Sequence, residues 1–437
     1  MNAQTINNKI SRARAVTIAS IGGGLEMYDF SIYIFFAPII AELFFPHTSY
    51  FASLLLTLAI FAVGYFSRPL GAIIFGHYGD RIGRKTGLVV TIVLMAVSTA
   101  LIGLLPTYAT IGILAPLFLV ILRFLQGVAV GGDLPGAVTF VAEYADNKNR
   151  GFACSLIYFS VNIGLLMASV MGGLLTYLLS HEQLLGWGWR LAFLLGIVLG
   201  IVGFYLRKKI ADTPYFQQLA EQQAQVKIPS LQLLKENTTQ ILQGIGLVWL
   251  LAVAIAQLFL YMPTYLHTMA HLELTTALLI NSANILLFSL CIPLIGYLSD
   301  KIGRKPIILL TAFLFIVFSY PLYTLLNHTS LTEKILALNC FALLAAGIVS
   351  TVPSTLAELF PTHTRYSGVG IAYNISFAIF AGLAPVIATF LIEQLHQPQA
   401  PSYNLIAGAL VAFVACITLI ETSKKPLQET LQNKFVL

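Results

Sequence analysis

Charge is what this chain has least of. Only 10% of its 437 residues are Asp, Glu, Lys or Arg, while 58% are hydrophobic and the mean hydropathy is +0.85. A soluble domain carries about a quarter of its residues as charged groups. The apolar side chains here cannot all fit in a core, so lipid must solvate most of them. Cysteine is nearly as scarce: Cys154, Cys291, Cys340 and Cys416 each stand alone in an apolar run. That spacing excludes a disulfide framework or a thiolate metal site and leaves small packing residues. The eight histidines fall mostly at loops or helix ends. His267 and His271 are four apart, but no cysteine or carboxylate set surrounds them, so neither a metal nor a cofactor is expected. No cluster of Asp, His and Glu, or of Ser and His, gathers at one interface, which argues against an enzyme. The basic start (Lys9, Arg12, Arg14) leads into a long segment without a small-residue cleavage site, so no cleavable signal peptide is expected.

What the chain has in abundance is apolar runs long enough to cross a bilayer, which takes about 20 helical residues. They fall at 16–45, 51–77, 86–105, 113–141, 152–179 and 189–206, then at 241–266, 275–298, 306–326, 334–357, 366–394 and 403–421. The expected division is a six-helix bundle over residues 1–207, a polar, Gln-rich linker at 208–240, and a second six-helix bundle over 241–437. A duplication supports it. Gly76-His77-Tyr78-Gly79-Asp80-Arg81-Ile82-Gly83-Arg84-Lys85 returns as Gly296-Tyr297-Leu298-Ser299-Asp300-Lys301-Ile302-Gly303-Arg304-Lys305, identical at six of ten positions. Ala142-Glu143 with Arg150-Gly151 returns as Ala357-Glu358 with Arg365. Two motifs repeated in one order point to an all-α membrane protein of twelve transmembrane helices in two pseudo-symmetric bundles.

With twelve crossings, 20 of the 24 Lys and Arg residues fall on one side, and Lys334 alone lies on the other. The positive-inside rule then places both termini in the cytoplasm. The same bias accounts for the net charge of +6 without a nucleic-acid partner.

The two hairpins resemble the signature of the major facilitator superfamily, between helices 2 and 3 and again between 8 and 9. Further stretches resemble the metabolite:proton symporter family within it: Glu26-Met27-Tyr28-Asp29-Phe30, Arg68-Pro69-Leu70-Gly71, Gln126-Gly127 with Gly131-Gly132-Asp133, and Phe140-Val141-Ala142-Glu143-Tyr144. Gly188-Trp189-Arg190, Leu359-Phe360-Pro361 and Tyr373-Asn374-Ile375-Ser376 add to the match. The resemblance spans nearly the whole chain and in detail is most similar to proline/betaine transporters. Asp133 stands where that group typically has Glu. Osmosensing members carry a long C-terminal coiled coil, whereas this chain stops at Leu437, soon after helix 12, which leaves osmotic regulation by such a tail open.

A charge at mid-bilayer costs about 3 kcal/mol by insertion scales unless paired or hydrated. Five such residues cluster in the first half: Glu26, Asp29, Arg68, Arg123 and Asp133. A rise of about 1.5 Å per residue puts Glu26 about 15 Å, Asp29 about 20 Å, Arg68 about 13 Å, Arg123 about 25 Å and Asp133 about 12 Å from the cytoplasmic end. By depth, Asp29 should pair with Arg123, and Glu26 or Asp133 with Arg68. Glu26 and Asp29 share a helical face. A carboxylate in a low-dielectric cavity beside a movable arginine can load and release a proton, so Asp29, Glu26 and Asp133 are the expected proton-coupling groups.

Arg123 and Arg68 are expected to bind a solute carboxylate, and Tyr28 to stack on an ammonium group. The second half has no comparable charge; Gln257 and Tyr261 in helix 7, which lines the central cavity in the superfamily, and Asn374 are the expected neutral contacts. The interfacial charges Asp80, Arg81, Arg84, Glu143 and Arg150, with Asp300, Arg304, Glu358 and Arg365 in the other half, should form a cytoplasmic gate rather than bind solute.

The leading expectation is proton-driven uptake of a small solute by alternating access, through a monomer in the inner membrane. The resemblance favours a zwitterion such as proline or betaine; the arginines require only a carboxylate, which leaves small organic acids open. A drug/proton antiporter would usually carry a Gly-Pro-Gly-Gly type motif in helix 5, where this chain has Gly164, Gly172 and Gly173 without proline. A sensor that transports nothing is compatible with the same sequence.

Overall fold

The computed structural model describes residues 21–46, 49–82, 84–208, 237–361, 365–425 and 427, with the side chains of 76–88, 140, 144, 206–208 and 366 outside that description. Nine helices are long and apolar enough to cross a membrane, ten when the bent pair Ile21–Phe35 and Ala37–Phe44 counts as one. Two shorter apolar helices bring the crossings among the described residues to twelve. In chain order α1 is the bent pair, α2 is Tyr50–Phe75, α3 Arg84–Leu104, α4 Leu114–Glu143, α5 Arg150–Leu178 and α6 His181–Tyr205. The second half has α7 Thr238–Leu260, α8 Leu274–Ile302, α9 Arg304–Leu326, α10 Leu331–Leu359, α11 Ser367–Leu395 and α12 Pro401–Ile417. Helices are the required form because lipid offers no partner for a free backbone N–H or C=O. The helix ends differ from the expected runs mainly at α6, which begins earlier, and at α12, which stops before Glu421.

Prolines explain several irregularities. The bend of 58° in α1 falls at Phe36, just before Pro38, whose ring clashes with the carbonyl four residues back and which has no N–H to donate. Wide π-helical turns at Ala256–Leu260 and Phe377–Ala381 each precede a proline, Pro263 and Pro385. The carbonyls that those rings would strike belong to Phe259 and Ala381, inside the widened turns.

The repeat is visible in the packing. In the first half α3 lies along α6, as α9 lies along α12 in the second. Between the halves, α5 runs against α8 and α2 against α11. Within the first half α2 and α4 touch backbone to backbone: a Cβ on Gly127 would stand 1.9 Å from the Gly64 carbonyl oxygen, and one on Gly131 2.0 Å from that of Arg68. Small residues permit such contact in lipid, where packing rather than water drives association. The contact also sets Arg68 of α2 level with the start of the α4 segment that carries Asp133. Leu178, Ile201, Leu294 and Ile420 are among the large apolar side chains left on the outside, as a lipid-facing surface requires.

Candidate functional site

A cavity of about 50 Å³, measured as space open to the centre of a water molecule, lies between the halves, enough for a few waters. The first half contributes Glu26 and Phe30 of α1, Arg68 of α2, Asp133 of α4, and Tyr158 and Asn162 of α5. The second contributes Ile255 of α7 and Tyr373, Asn374 and Phe377 of α11. Arg68 is held among rings, its guanidinium carbon 4.1 Å from the Tyr65 centroid, 4.4 Å from Phe30 and 5.6 Å from Phe377. Its Nε has no hydrogen-bond partner among the described residues, and Glu26 is near enough for the two charges to interact. Asn374 crosses to the other half, donating to the Gly131 carbonyl at 3.0 Å. Tyr65 and Phe377 stack across the α2–α11 seam at 6.2 Å, and Phe377 stacks on Tyr373 at 4.2 Å.

Thus Glu26, Arg68, Asp133 and Asn374 share one cavity, and the other expected solute or proton residues do not line it. The expected pairing of Asp29 with Arg123 is absent. Arg123 is fully buried, donates to the Phe30 carbonyl at 3.2 Å and to Gln126 Oε1 at 2.7 Å, and lies 4.5 to 5.3 Å from the rings of Phe30, Tyr33 and Phe61. Asp29 points elsewhere, against Gly196 of α6 and Thr99 of α3, and its Oδ1 has no partner among the described residues. Depth placed the two at compatible levels, but Gln126 stands between them: it accepts from Arg123 and donates to Thr99 Oγ1 at 2.8 Å, beside the Gly196 position that Asp29 borders. Tyr28 is also buried against α6, donating to the Ala192 carbonyl at 2.8 Å. Gln257 donates to Tyr323 Oη at 2.9 Å and the Pro401 carbonyl at 2.7 Å and accepts from Asn404 at 3.1 Å, inside the second bundle.

Tyr261 lies higher on the same seam, its hydroxyl 2.8 Å from that of Thr389. It lines a larger hollow of about 390 Å³ together with Tyr50, Phe51, His267 and Glu393. Gly382 of α11 sits against the Tyr65 side chain, so α2 and α11 close between this hollow and the Arg68 cavity.

The end that carries the 8–9 hairpin is shut by ion pairs. Arg150 reaches Glu358 at 2.9 Å and Arg365 reaches Glu143 at 2.7 Å, each crossing to the other half. Arg304 binds Asp300 at 2.8 Å and Glu358 at 3.3 Å. Asp300 also accepts from the Gly151 and Phe152 backbone N–H groups, both at 2.8 Å, where the positive end of α5 favours an anion. Arg304 thus pairs within its own half, while Arg150 and Arg365 pair across the boundary. Arg150 and Arg365 use Nε to bind their own half, at the carbonyls of Ala142 and Ala357, and a terminal nitrogen to bind the other. The side chains of Asp80, Arg81 and Arg84 lie outside the described residues.

Beyond α12 the chain folds back onto these ion pairs. Glu421 accepts from the Arg304 and Lys305 backbone N–H groups, both at 3.0 Å, and the Thr422 hydroxyl donates to Glu358 at 2.5 Å. Gly303, at φ +117°, makes the reversal between α8 and α9, in a region that side-chain-bearing residues avoid.

Sequence reasoning missed Tyr158, Asn162 and Phe377 as cavity residues. A signal for Tyr158 was present: the 215-residue offset that carries Glu143 onto Glu358 and Arg150 onto Arg365 carries Tyr158 onto Tyr373.

Comparison with known proteins agrees with this architecture. The Major Facilitator Superfamily profile matches residues 19–373 and 271–435. The proline/betaine transporter of Escherichia coli (strain K12) is 36% identical over 424 residues, covering 95% of this chain and 85% of that protein. The Salmonella typhimurium transporter of the same name is 35% identical with the same coverage. The glycine betaine/proline/ectoine/pipecolic acid transporter OusA of Dickeya dadantii is 35% identical, covering 95% of this chain and 84% of its own. Among solved structures, the proton:xylose symporter XylE superposes with a TM-score of 0.75 at 18% identity, covering 96% of this chain and 98% of that chain, a likeness of fold. The chain belongs to the Major Facilitator Superfamily, whose relatives here are membrane transporters and not enzymes.

Proposed function

We propose that the protein is a proton-coupled symporter that imports a small zwitterion of the proline/betaine kind by alternating access. The observation that carries this reading is the make-up of the cavity: one arginine, two carboxylates and a set of aromatic rings, drawn from both halves. Arg68 offers a fork for the solute carboxylate. The rings of Phe30, Tyr373 and Phe377, with Glu26 and Asp133, suit an ammonium group. A dicarboxylic acid would set a second negative charge against those carboxylates.

The basic end is the cytoplasmic one on the bias of 20 basic residues out of 24, with both termini there. The described state then has its cytoplasmic side closed, with the larger hollow around Tyr261 facing outward. Binding a carboxylate at Arg68 competes with Glu26 for the guanidinium, and a proton on Glu26 or Asp133 relieves the resulting surplus charge. Asp29 serves as a further proton-carrying group, since its Oδ1 meets no competing donor. Arg123, Tyr28 and Gln257 hold helices in place in this state. Relatives named as proline/betaine transporters support the substrate class, and the proton symporter XylE, alike in fold, is compatible with proton coupling.

The test is uptake of labelled proline or betaine into proteoliposomes with acid outside. Accumulation should require the pH gradient and collapse with a protonophore. Arg68→Lys should raise KM about 10- to 100-fold, from loss of a charged hydrogen-bonded contact of about 1.5–3 kcal/mol. Accumulation of either zwitterion that ignores the gradient would sink the proton coupling, and none at all would sink the substrate class.

A further inference from the structure

We infer that Tyr158 and Tyr373 are the specificity-determining pair of this cavity, reading whether the solute's ammonium group carries N–H donors. The inference rests on the zwitterion reading above and deepens it. The two tyrosines occupy equivalent places in the duplicated sequence, one on α5 and one on α11, and both line the cavity. They reach that one cavity from opposite halves. Both side chains are otherwise enclosed, at 3% and 5% exposure.

A hydroxyl donates one hydrogen bond and accepts up to two. Two hydroxyls lining one cavity therefore offer acceptor capacity to a solute bound there. Arg68 has only donors and takes the carboxylate end of the solute. The hydroxyl pair therefore presents acceptors to the ammonium end, alongside the rings. A ring ammonium with two N–H groups can donate to that pair. A trimethylated ammonium has no donor and can use only the faces of Tyr373, Phe377 and Phe30. Removing the hydroxyls while keeping the rings should thus separate two solutes of otherwise similar charge. Phe377, stacked on Tyr373 at 4.2 Å, keeps the ring in place when the hydroxyl is lost.

The experiment compares Tyr158→Phe, Tyr373→Phe and the double variant in purified, reconstituted full-length protein, with proline and trimethylglycine as probes. KM for proline should rise about tenfold in the double variant, the loss of roughly one hydrogen bond, while KM for trimethylglycine stays within about twofold. Because a packing defect would weaken both solutes together, the ratio of the two KM values is the deciding readout. An unchanged ratio overturns the inference. If Tyr158→Phe fails to fold, Tyr373→Phe alone must still shift the ratio in the same direction, and failure to do so overturns it as well. Wild-type protein that carries neither zwitterion would instead remove the substrate class on which the pair's role depends.

Discussion

The guanidinium of Arg150 lies 2.9 Å from the Glu358 carboxylate, across the boundary between the two bundles, with both side chains almost fully buried. Arg365 and Glu143 repeat the crossing in the opposite sense. Each half therefore supplies one arginine and one acid to this joint, which has to part under the alternating access proposed above. Removing one partner of a buried pair costs about 3–5 kcal/mol, because the other charge is stranded. Glu358→Gln should shift the population toward a state open at this end, seen as longer distances between spin labels at Lys148 and Lys301. A distance distribution unchanged in Glu358→Gln would show that the pair does not hold the gate.

Gly151 begins α5 in the same joint. A Cβ there would lie 2.3 Å from Arg304 Nη1, 2.6 Å from Ser299 Oγ and 2.9 Å from the Gly296 carbonyl oxygen. The arginine can swing away, but the Gly296 backbone cannot without moving α8. Gly151→Val should wedge the gate, raising maleimide labelling of a cysteine placed at Ser155 and lowering the saturating transport rate. Labelling equal to that of the unsubstituted Gly151 background would mean that the helices part freely.

Glu421, beyond the last crossing, has a predictable pH response. Burial works against its charge, but the backbone N–H groups of Ser423, Arg304 and Lys305 outweigh it and hold the carboxyl below its ordinary value of 4.5. A depressed folded value contributes stability above the unfolded one, and that contribution disappears as pH falls through the folded value. Hydrogen exchange in residues 419–425 should accordingly be slow near neutrality and quicken in acid below the ordinary carboxylate range. In Glu421→Gln it should be faster at neutrality and lose this pH dependence. Slow exchange that persists in that variant would mean that the Thr422–Glu358 hydrogen bond holds the segment unaided.

Gln257 joins three partners within the second bundle. Gln257→Leu should leave the Tyr323 hydroxyl and the Pro401 carbonyl short of a partner, at about 1–3 kcal/mol for each buried group left unsatisfied. The expected result is a lower melting temperature in detergent with solute affinity nearly unchanged. A large affinity loss at unaltered stability would return Gln257 to the solute site.

Much of this architecture was legible in the linear chain. Twelve apolar runs, a hairpin motif present twice and Lys and Arg gathered on one side led to two six-helix bundles. Levels along a helix were also legible, because the rise per residue is constant: Glu26, Arg68 and Asp133 were set at similar depths and do share a cavity. Direction around the helix was not. Asp29 and Phe30 are neighbours on α1, yet the first faces Gly196 while the ring of the second lies against both Arg68 and Arg123. Nor could the pattern of gate partners be read, since Glu143 and Glu358 are equally plausible acids for either arginine until the bundles are docked.

The amino-acid order alone determined how many times the chain crosses and where the crossings repeat, because a bilayer demands a set length of apolar helix for each passage. Only the tertiary structure decided which buried charges meet. Glycine contacts, aromatic stacking and proline-induced turns set the rotation and bend of each helix, and that rotation puts Arg68 in the cavity and leaves Arg123 among rings.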